Sequence, residues 1–349
     1  MSLADSLDAL VSLGGSDLLM SCGSPPRVRK DGTIVTVPGA APVDAELIGP
    51  MLRSLLGEQR WETLQRDRSV DFSFTWQSHV RMRGNAFFQR GTLAAAFRLL
   101  PLEIPGFEQL GVPGIVPALL ERSQGLMLVT GPTGSGKSTT QAAMIEHLNR
   151  SRGCHIITVE DPIEYVHRHQ HSLVEQRQVG EDVPSFAEAL RSVFREDPDV
   201  VLIGEMRDLE TIASALTIAE TGHLVLATLH TNDASQAIDR ILDGFPPGQQ
   251  QQVRVQLSAI LTAVIYQQLI PAVGGGRVAA FEVLVATSAV RSLIKEGKTN
   301  QIRNVLQTSL RDGSQTLERS LTQLLEAGLV TEREARARSL YPQEVGVRA

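Results

Sequence analysis

Thiols are almost missing from this sequence. Cys22 and Cys154 stand far apart with no CxxC spacing, so neither a disulfide framework nor a cysteine zinc site has any basis, and a reducing compartment fits. Long hydrophobic runs are missing too. The stretches GLMLVTG and HLVLATLH have the length of buried strands, and no membrane-spanning helix is expected. Asp5 and Asp8 stand where an export signal would carry positive charge, so export is not expected. Excess basic charge is the third shortage: 33 Lys and Arg against 39 Asp and Glu give a formal charge of −6. A protein whose main partner is a nucleic-acid backbone needs the opposite balance, so no nucleic-acid partner is expected. No internal repeat is evident, and low complexity is confined to Gln249–Gln252.

What is present suits two domains, since 349 residues with 42% apolar content can bury sizeable cores. Residues 1–100 read as a mixed α and β domain. Helical spacing occurs near 2–13 and 43–66, and strand-like runs occur in RVRKDGTIVTV, VDFSFTW and RMRGNAFFQRGTLAAAFRLL, with hairpin turns at Asp31-Gly32 and Arg90-Gly91. The stretch PLEIPGFEQLGVPGIVP, residues 101–117, is rich in Pro and Gly and reads as a linker. From 118 to 349 short apolar runs (GLMLVTG, HIITVE, DVVLIGE, HLVLATLH) alternate with amphipathic segments, the pattern of a parallel sheet covered by helices. The last third reads as mainly helical, through PPGQQQQVRVQLSAILTAVIYQQLI, TSAVRSLIKEG and SQTLERSLTQLLEAG.

The strongest chemical signal is GPTGSGKST, from Gly131 through Pro132, Thr133, Gly134, Ser135, Gly136, Lys137 and Ser138 to Thr139. It satisfies GxxxxGK[ST] and sits between an apolar strand and a helix. Glycines let the backbone approach phosphates and turn its N–H groups inward, while the helix start adds a positive dipole end. Lys137 then neutralises the β and γ phosphates of ATP, and the Ser138 hydroxyl is the expected Mg²⁺ ligand.

Hydrolysis needs carboxylates as well, because this chemistry is positioning plus charge stabilisation. Two strand ends supply them: HIITVEDPIEY with Glu160, Asp161 and Glu164, and DVVLIGEMRD with Glu205 and Asp208. Residues beyond the carboxyl ends of strands face the ligand crevice of an open α/β sheet. Gly204 stands where many P-loop enzymes carry a metal-holding Asp, which leaves that task to Glu205 through a bound water. His230 ends HLVLATLH on the same expected edge and can sense the γ-phosphate, although a lone histidine at a strand end is more often structural and spacing alone does not carry the role. In HRHQH, His167, His169 and His171 would share a strand face as a metal site or lie in a solvated loop. Arg81 and Arg83, at i and i+2, share a strand face as a phosphate clamp or as a solvated pair.

These motifs resemble a known family. GPTGSGKST, ITVEDPIEY, LIGEMRDLET and TGHLVLATLHTND follow in the order and wording of the type II/IV secretion ATPases, and the likeness spans most of the chain. SDLLMSCGSPPRVRKDG and AVRSLIKEGK resemble the opening and the AIRNLIRE helix of its PilT-like group, the type IV pilus retraction ATPases, although Leu19 replaces the histidine of that group's SDLHLS. The resemblance implies an α/β protein: a RecA-like P-loop ATPase core with a smaller PAS-like α+β N-terminal domain. It implies a homohexameric motor using ATP and Mg²⁺, cytoplasmic and peripheral to the inner membrane beneath a PilC-like platform protein. By position, Glu164 matches the general base, Glu205 the Walker B glutamate and His230 the His-box residue. Arg81, Arg83 and Arg98 match N-domain arginines that approach the nucleotide. An accessory retraction ATPase or another secretion motor would share these residues. A P-loop small-molecule kinase or a non-hydrolysing nucleotide sensor is the alternative of another class. In the AIRNLIRE-like helix, Val290, Leu293 and Ile294 are expected to pack inward, with Arg291 and Lys295 as a basic patch towards a partner.

Overall fold

The computed structural model describes residues 2–346 except Asp31, Ser78, His79 and Leu102. The chain divides into two compact units, one running to Glu103 and including Glu164–Val166, the other comprising Ile104–Ile163 and the chain from His167 onward.

The first unit contains α1 (Leu3–Ser12), β1 (Asp17–Ser21), β2 (Arg27–Lys30), β3 (Thr33–Thr36), α2 (Ala45–Asp67), β4 (Ser69–Trp76), β5 (Val80–Gln89) and β6 (Thr92–Leu99). Its antiparallel sheet has the order β3-β2-β1-β6-β5-β4. Strand alternation sorts the side chains: Val80, Met82 and Ala86 of β5 are buried in the core with Leu18, Phe72, Phe97 and the α2 residues Ile48 and Leu52, while Arg81 and Arg83 take the other face. The β5–β6 hairpin turns at Arg90 and Gly91, both at positive φ (48° and 79°), which matches the strand twist. In the β2–β3 hairpin Lys30 pairs with Thr33; Asp31 of the expected Asp31-Gly32 turn lies outside the described residues.

The second unit begins with two short helices, α3 (Phe107–Leu110) and α4 (Ile115–Leu120). The core elements follow: β7 (Gly125–Thr130), α5 (Lys137–Ser151), β8 (His155–Glu160), β9 (Leu173–Gln178), α6 (Phe186–Val193), β10 (Val200–Ile203), α7 (Leu209–Glu220), β11 (Leu224–Leu229) and α8 (Ala234–Asp243). Then come α9 (Pro247–Ile260), β12 (Leu261–Pro271), β13 (Arg277–Val285), α10 (Ser288–Glu296), α11 (Ile302–Thr308), α12 (Leu317–Glu326) and α13 (Glu332–Arg338). The sheet order is β13-β12-β7-β11-β10-β8-β9, parallel throughout except for the antiparallel β12–β13 pair. Continuous apolar runs arise because both faces are covered. Leu126 and Leu128 enter the core on one side and Met127 and Val129 the core on the other.

Two expectations for the last third are corrected. LTAVIYQQLI is not helical: α9 stops at Ile260 and the chain continues as β12, pairing Val264 with Leu128 and Ile265 with Val129 of β7. An unbroken apolar run carries no period that separates helix from strand, and the β-branched Thr262, Val264 and Ile265 fit a buried sheet position. RVAAFEVLV likewise forms strand β13, at the sheet edge.

The second correction concerns Arg291. Helix α10 is capped by the Thr287 side chain and buries Val290 and Ile294, while Leu293 is half-buried and packs against the same core. Arg291, however, is half-buried and its guanidinium is engaged by backbone carbonyls. Its guanidinium donates to the carbonyls of Ala286 (3.0 Å), Ser258 and Ala259 (2.5 Å each) and Leu261 (2.7 Å), binding α10 to the end of α9 and the start of β12. Three of these carbonyls lie where α9 ends, and a helix end leaves such groups without partners of its own. The planar fork of an arginine can reach several at once. Burial, reinforced by the charge of Arg122, lowers its pKa. Lys295 stays exposed.

Candidate nucleotide site

The turn from β7 to α5 is a cradle with an open helix end. Helices α6, α7, α8, α10, α12 and α13 all start with a Ser, Asp or Thr side chain that caps a backbone N–H. Helix α5 starts at Lys137, after Gly136 in the cap position, with no side-chain cap, so its first N–H groups face the loop. Gly131, at φ 146°, is obligatory: a Cβ there would lie 2.4 Å from the Gln267 carbonyl oxygen and 2.7 Å from Ser135 Oγ. Gln267, buried on β12, also donates its amide to the Ser135 carbonyl at 2.6 Å and braces the loop from outside. Pro132, Thr133 and Gly134 form the exposed lip, and Ser138 and Thr139 lie half-buried in the first turn of α5. Ser135 Oγ is buried without a hydrogen-bond partner among the described residues. Buried Lys137 donates to the carbonyls of Gly131 (2.9 Å) and Pro132 (3.1 Å) of its own loop.

Strand order decides what meets this lysine. β11 lies between β7 and β10, so the residues following these strands emerge side by side. His230 Nδ1 is 3.4 Å from Lys137 Nζ, and its Nε2 is 3.1 Å from Glu205 Oε1. The other carboxylate oxygen of Glu205 takes Arg207 at 2.8 Å. Burial raises the pKa of Glu205, but hydrogen bonds and charges from Arg207 and His230 outweigh it and the net direction is downward. The turn itself is fixed. Gly204 N–H donates to the Val159 carbonyl at 2.8 Å, and the Thr228 hydroxyl takes the Gly204 carbonyl at 2.5 Å. A cavity of about 430 Å³ opens beside the pair, with Arg207, Asn232, Asp239 and Arg240 in its wall.

The other candidates lie elsewhere. Glu160 is held by Thr158 (2.6 Å) and Gln176 (3.2 Å), Asp161 is exposed, and Glu164 is half-buried in the 164–166 stretch that groups with the first unit. Arg83 and Arg98 are cross-strand partners on β5 and β6; Arg98 binds Asp17 at 2.8 Å, Arg83 is exposed, and Arg81 reaches Ser73 at 2.5 Å. HRHQH is not a strand, and no group of three or more His, Cys, Asp or Glu among the described residues is placed to hold a metal. Arg207 went unnoticed in the sequence although it is two residues from Glu205. Gln267 gave no signal, since nothing local marks a residue that acts on a loop more than a hundred positions away.

For Mg²⁺, the donors present are the Ser138 hydroxyl and the Glu205 carboxylate. Both are hard oxygen ligands and fit a cation that takes few protein ligands alongside phosphates and water. Fold and cradle together define a P-loop nucleotide-binding α/β protein. The family described as type II/IV secretion system protein matches residues 106–275. The chain is 43% identical over 343 residues to the type IV pilus retraction ATPase PilT of Pseudomonas aeruginosa, covering 98% of this chain and 99% of that one. It is 48% identical over 314 residues to a twitching motility protein of Neisseria gonorrhoeae, covering 90% and 83%. The crystal structure of the pilus retraction motor PilT with bound ADP superposes with a TM-score of 0.93 at 47% identity, covering 99% of both chains. This chain therefore belongs to the type II/IV secretion ATPase family, within its PilT-like retraction group. Its second unit is the RecA-like ATPase core and its first the smaller N-terminal domain.

Proposed function

We propose that this protein is the ATP-hydrolysing motor of type IV pilus retraction, working as a homohexamer on the cytoplasmic face of the inner membrane against a PilC-like platform protein. Similarity to PilT over nearly the whole chain, and so over both units, carries this reading. No helix among the described residues is long and apolar enough to cross a membrane, which is compatible with attachment through a partner. In this reading residues 1–100 form the PAS-like domain and 101–117 join it to the motor domain of 118–349; the joining stretch is not a plain linker, since it carries α3 and the start of α4, and Phe107, Ile115 and Val116 pack into the core of the second unit.

The chemistry follows from the side chains. Lys137 exchanges the carbonyls of its own loop for the β and γ phosphates, and the uncapped α5 N–H groups and Ser135 share their charge. Ser138 and Glu205 would hold Mg²⁺, which would supply positive charge against the phosphate oxygens. Glu164 takes the proton of the attacking water as general base. His230, between Lys137 and Glu205, reports whether the γ-phosphate is present. Arg81, Arg83 and Arg98 of the N-terminal domain close on the nucleotide, in the same or a neighbouring subunit.

The test is deletion of the gene with complementation. Retraction predicts abundant surface pili without twitching, restored by the wild-type gene and not by Lys137→Ala, together with phosphate release by the purified protein without an organic acceptor. Loss of surface pili would overturn retraction in favour of assembly. Phosphate transfer only to an added small molecule would overturn the motor reading.

A further inference from the structure

The HRHQH run lies away from the phosphate cradle, yet each of its histidines is engaged. It belongs to the connection from β8 to β9, which also carries Glu164. Two β9 side chains fix both ends of the Glu164 segment. Gln178 Oε1 accepts the backbone N–H of Ile163 at 3.3 Å, and Gln176 Oε1 accepts that of His167 at 2.8 Å, leaving only residues 164–166 between the anchors.

The rest of the connection is clasped by α5, the helix whose first turn forms the cradle. Glu146 takes His167 Nδ1 at 3.5 Å and the Gln170 amide at 2.7 Å. Fully buried Asn149 donates to the Arg168 carbonyl at 2.7 Å and accepts the Gln170 N–H at 3.1 Å, while its backbone carbonyl takes the N–H groups of His171 and Ser172. His169 Nδ1 accepts from Val174 N–H at 3.1 Å, and His171 Nδ1 contacts the Arg150 carbonyl at 2.5 Å. His167 and Glu146 are both largely buried, with 3% and 13% side-chain exposure. The His167 hydrogen bond, opposed by burial and helped by Gln170 and Arg150, holds Glu146 down to about 2, so it accepts as a carboxylate at neutral pH.

We propose that Gln176, Gln178 and Glu146 are positioning residues for Glu164, fixing the ends of its segment and tying that segment to the phosphate-binding helix. The proposal rests on Glu164 being the general base. A base displaced by about 1 Å loses on the order of 10²-fold in rate, so a partial loosening is worth about tenfold. The clasp also explains the histidines without a metal: they are the donors and acceptors that close a loop on α5.

Steady-state ATPase kinetics and ATP affinity of Gln176→Met, Glu146→Ala and Glu146→Gln, with Glu164→Gln in parallel, test it. Gln176→Met and Glu146→Ala should each lower kcat about tenfold with KM and ATP affinity within about twofold of wild type, because the cradle is untouched. Glu146→Gln keeps an acceptor oxygen and should recover most of the loss. Wild-type kcat in both Gln176→Met and Glu146→Ala, with Glu164→Gln inactive, overturns the positioning role and leaves the general base standing. A rise in KM matching the fall in kcat also overturns it, since that marks a disturbed cradle. Full activity of Glu164→Gln overturns the general-base reading and this proposal with it.

Discussion

The two ends of strand β7 are built on opposite terms. At its carboxyl end the cradle leaves groups waiting: α5 has no side-chain cap, Ser135 Oγ is buried without a partner among the described residues, and Lys137 leans on its own loop. At the amino end, where β12 starts beside Gly125, Arg291 satisfies carbonyls at the end of α9 and pins α10 in place. Unmet polar groups inside a protein cost stability, so their concentration at one edge marks where a ligand is to complete them. At the opposite edge the carbonyls left open at the end of α9 are completed by Arg291. Changes at the first edge should therefore cost activity and changes at the second should cost stability.

The largest expected effect is at the cradle. Lys137→Ala should lose at least about 10²-fold in ATP turnover, because the γ-phosphate would face backbone dipoles alone. Its melting temperature should move by no more than about 2 °C. Wild-type hydrolysis, measured by phosphate release, would show that turnover does not depend on the cradle lysine. Glu205→Ala comes next: ATP is still bound, and turnover falls about 10²-fold. A nucleotide-binding titration beside the turnover assay checks it, and unchanged turnover would move the metal-holding role elsewhere.

Arg291→Ala inverts the pattern. Losing a half-buried guanidinium that serves several carbonyls should cost about 2–4 kcal/mol of stability, with ATPase per folded molecule retained. Arg291→Lys should recover little, since an ammonium cannot span the same carbonyls, whereas Lys295→Ala should leave stability unchanged. Chemical denaturation of the three variants decides this. Lys295→Ala assayed for twitching asks separately whether the exposed face of α10 meets a partner.

The smallest effect is a pH dependence set by Glu282 of β13. Burial, partly offset by the Ala234 N–H and reinforced by the charges of Asp233 and Glu318, pushes its carboxyl up from 4.5 to about 7. The folded protein keeps that proton where the unfolded chain has lost it, so the stability it contributes is full below about 4.5 and is lost as pH rises through 7. Denaturation at pH 5 and pH 8 should show wild-type stability falling across that interval and a shallower fall in Glu282→Gln. Identical slopes would exclude the effect.

How much of this was legible without coordinates depends on the range of each interaction. The cradle could be read whole because its glycines, lysine and helix start lie within nine consecutive residues, and Gly131 proves to be the only residue type that fits its place. Periodicity was a sound guide where one face is wet, as in β5 with its alternating Met82 and Arg83, and in α10. It failed for β12, where burial on both sides erases the period and the partner strand β7 decides the conformation. The strand order alone put His230 between Lys137 and Glu205. Tertiary structure alone turned Arg291 from a surface charge into an internal tie, and gave HRHQH its partners Glu146 and Asn149. Local backbone geometry and phosphate chemistry are written in contiguous residues, so nucleotide binding is legible within nine positions of the chain. Which distant side chains meet depends on how strands are ordered and which faces are covered, and that was decided only when the sheet formed.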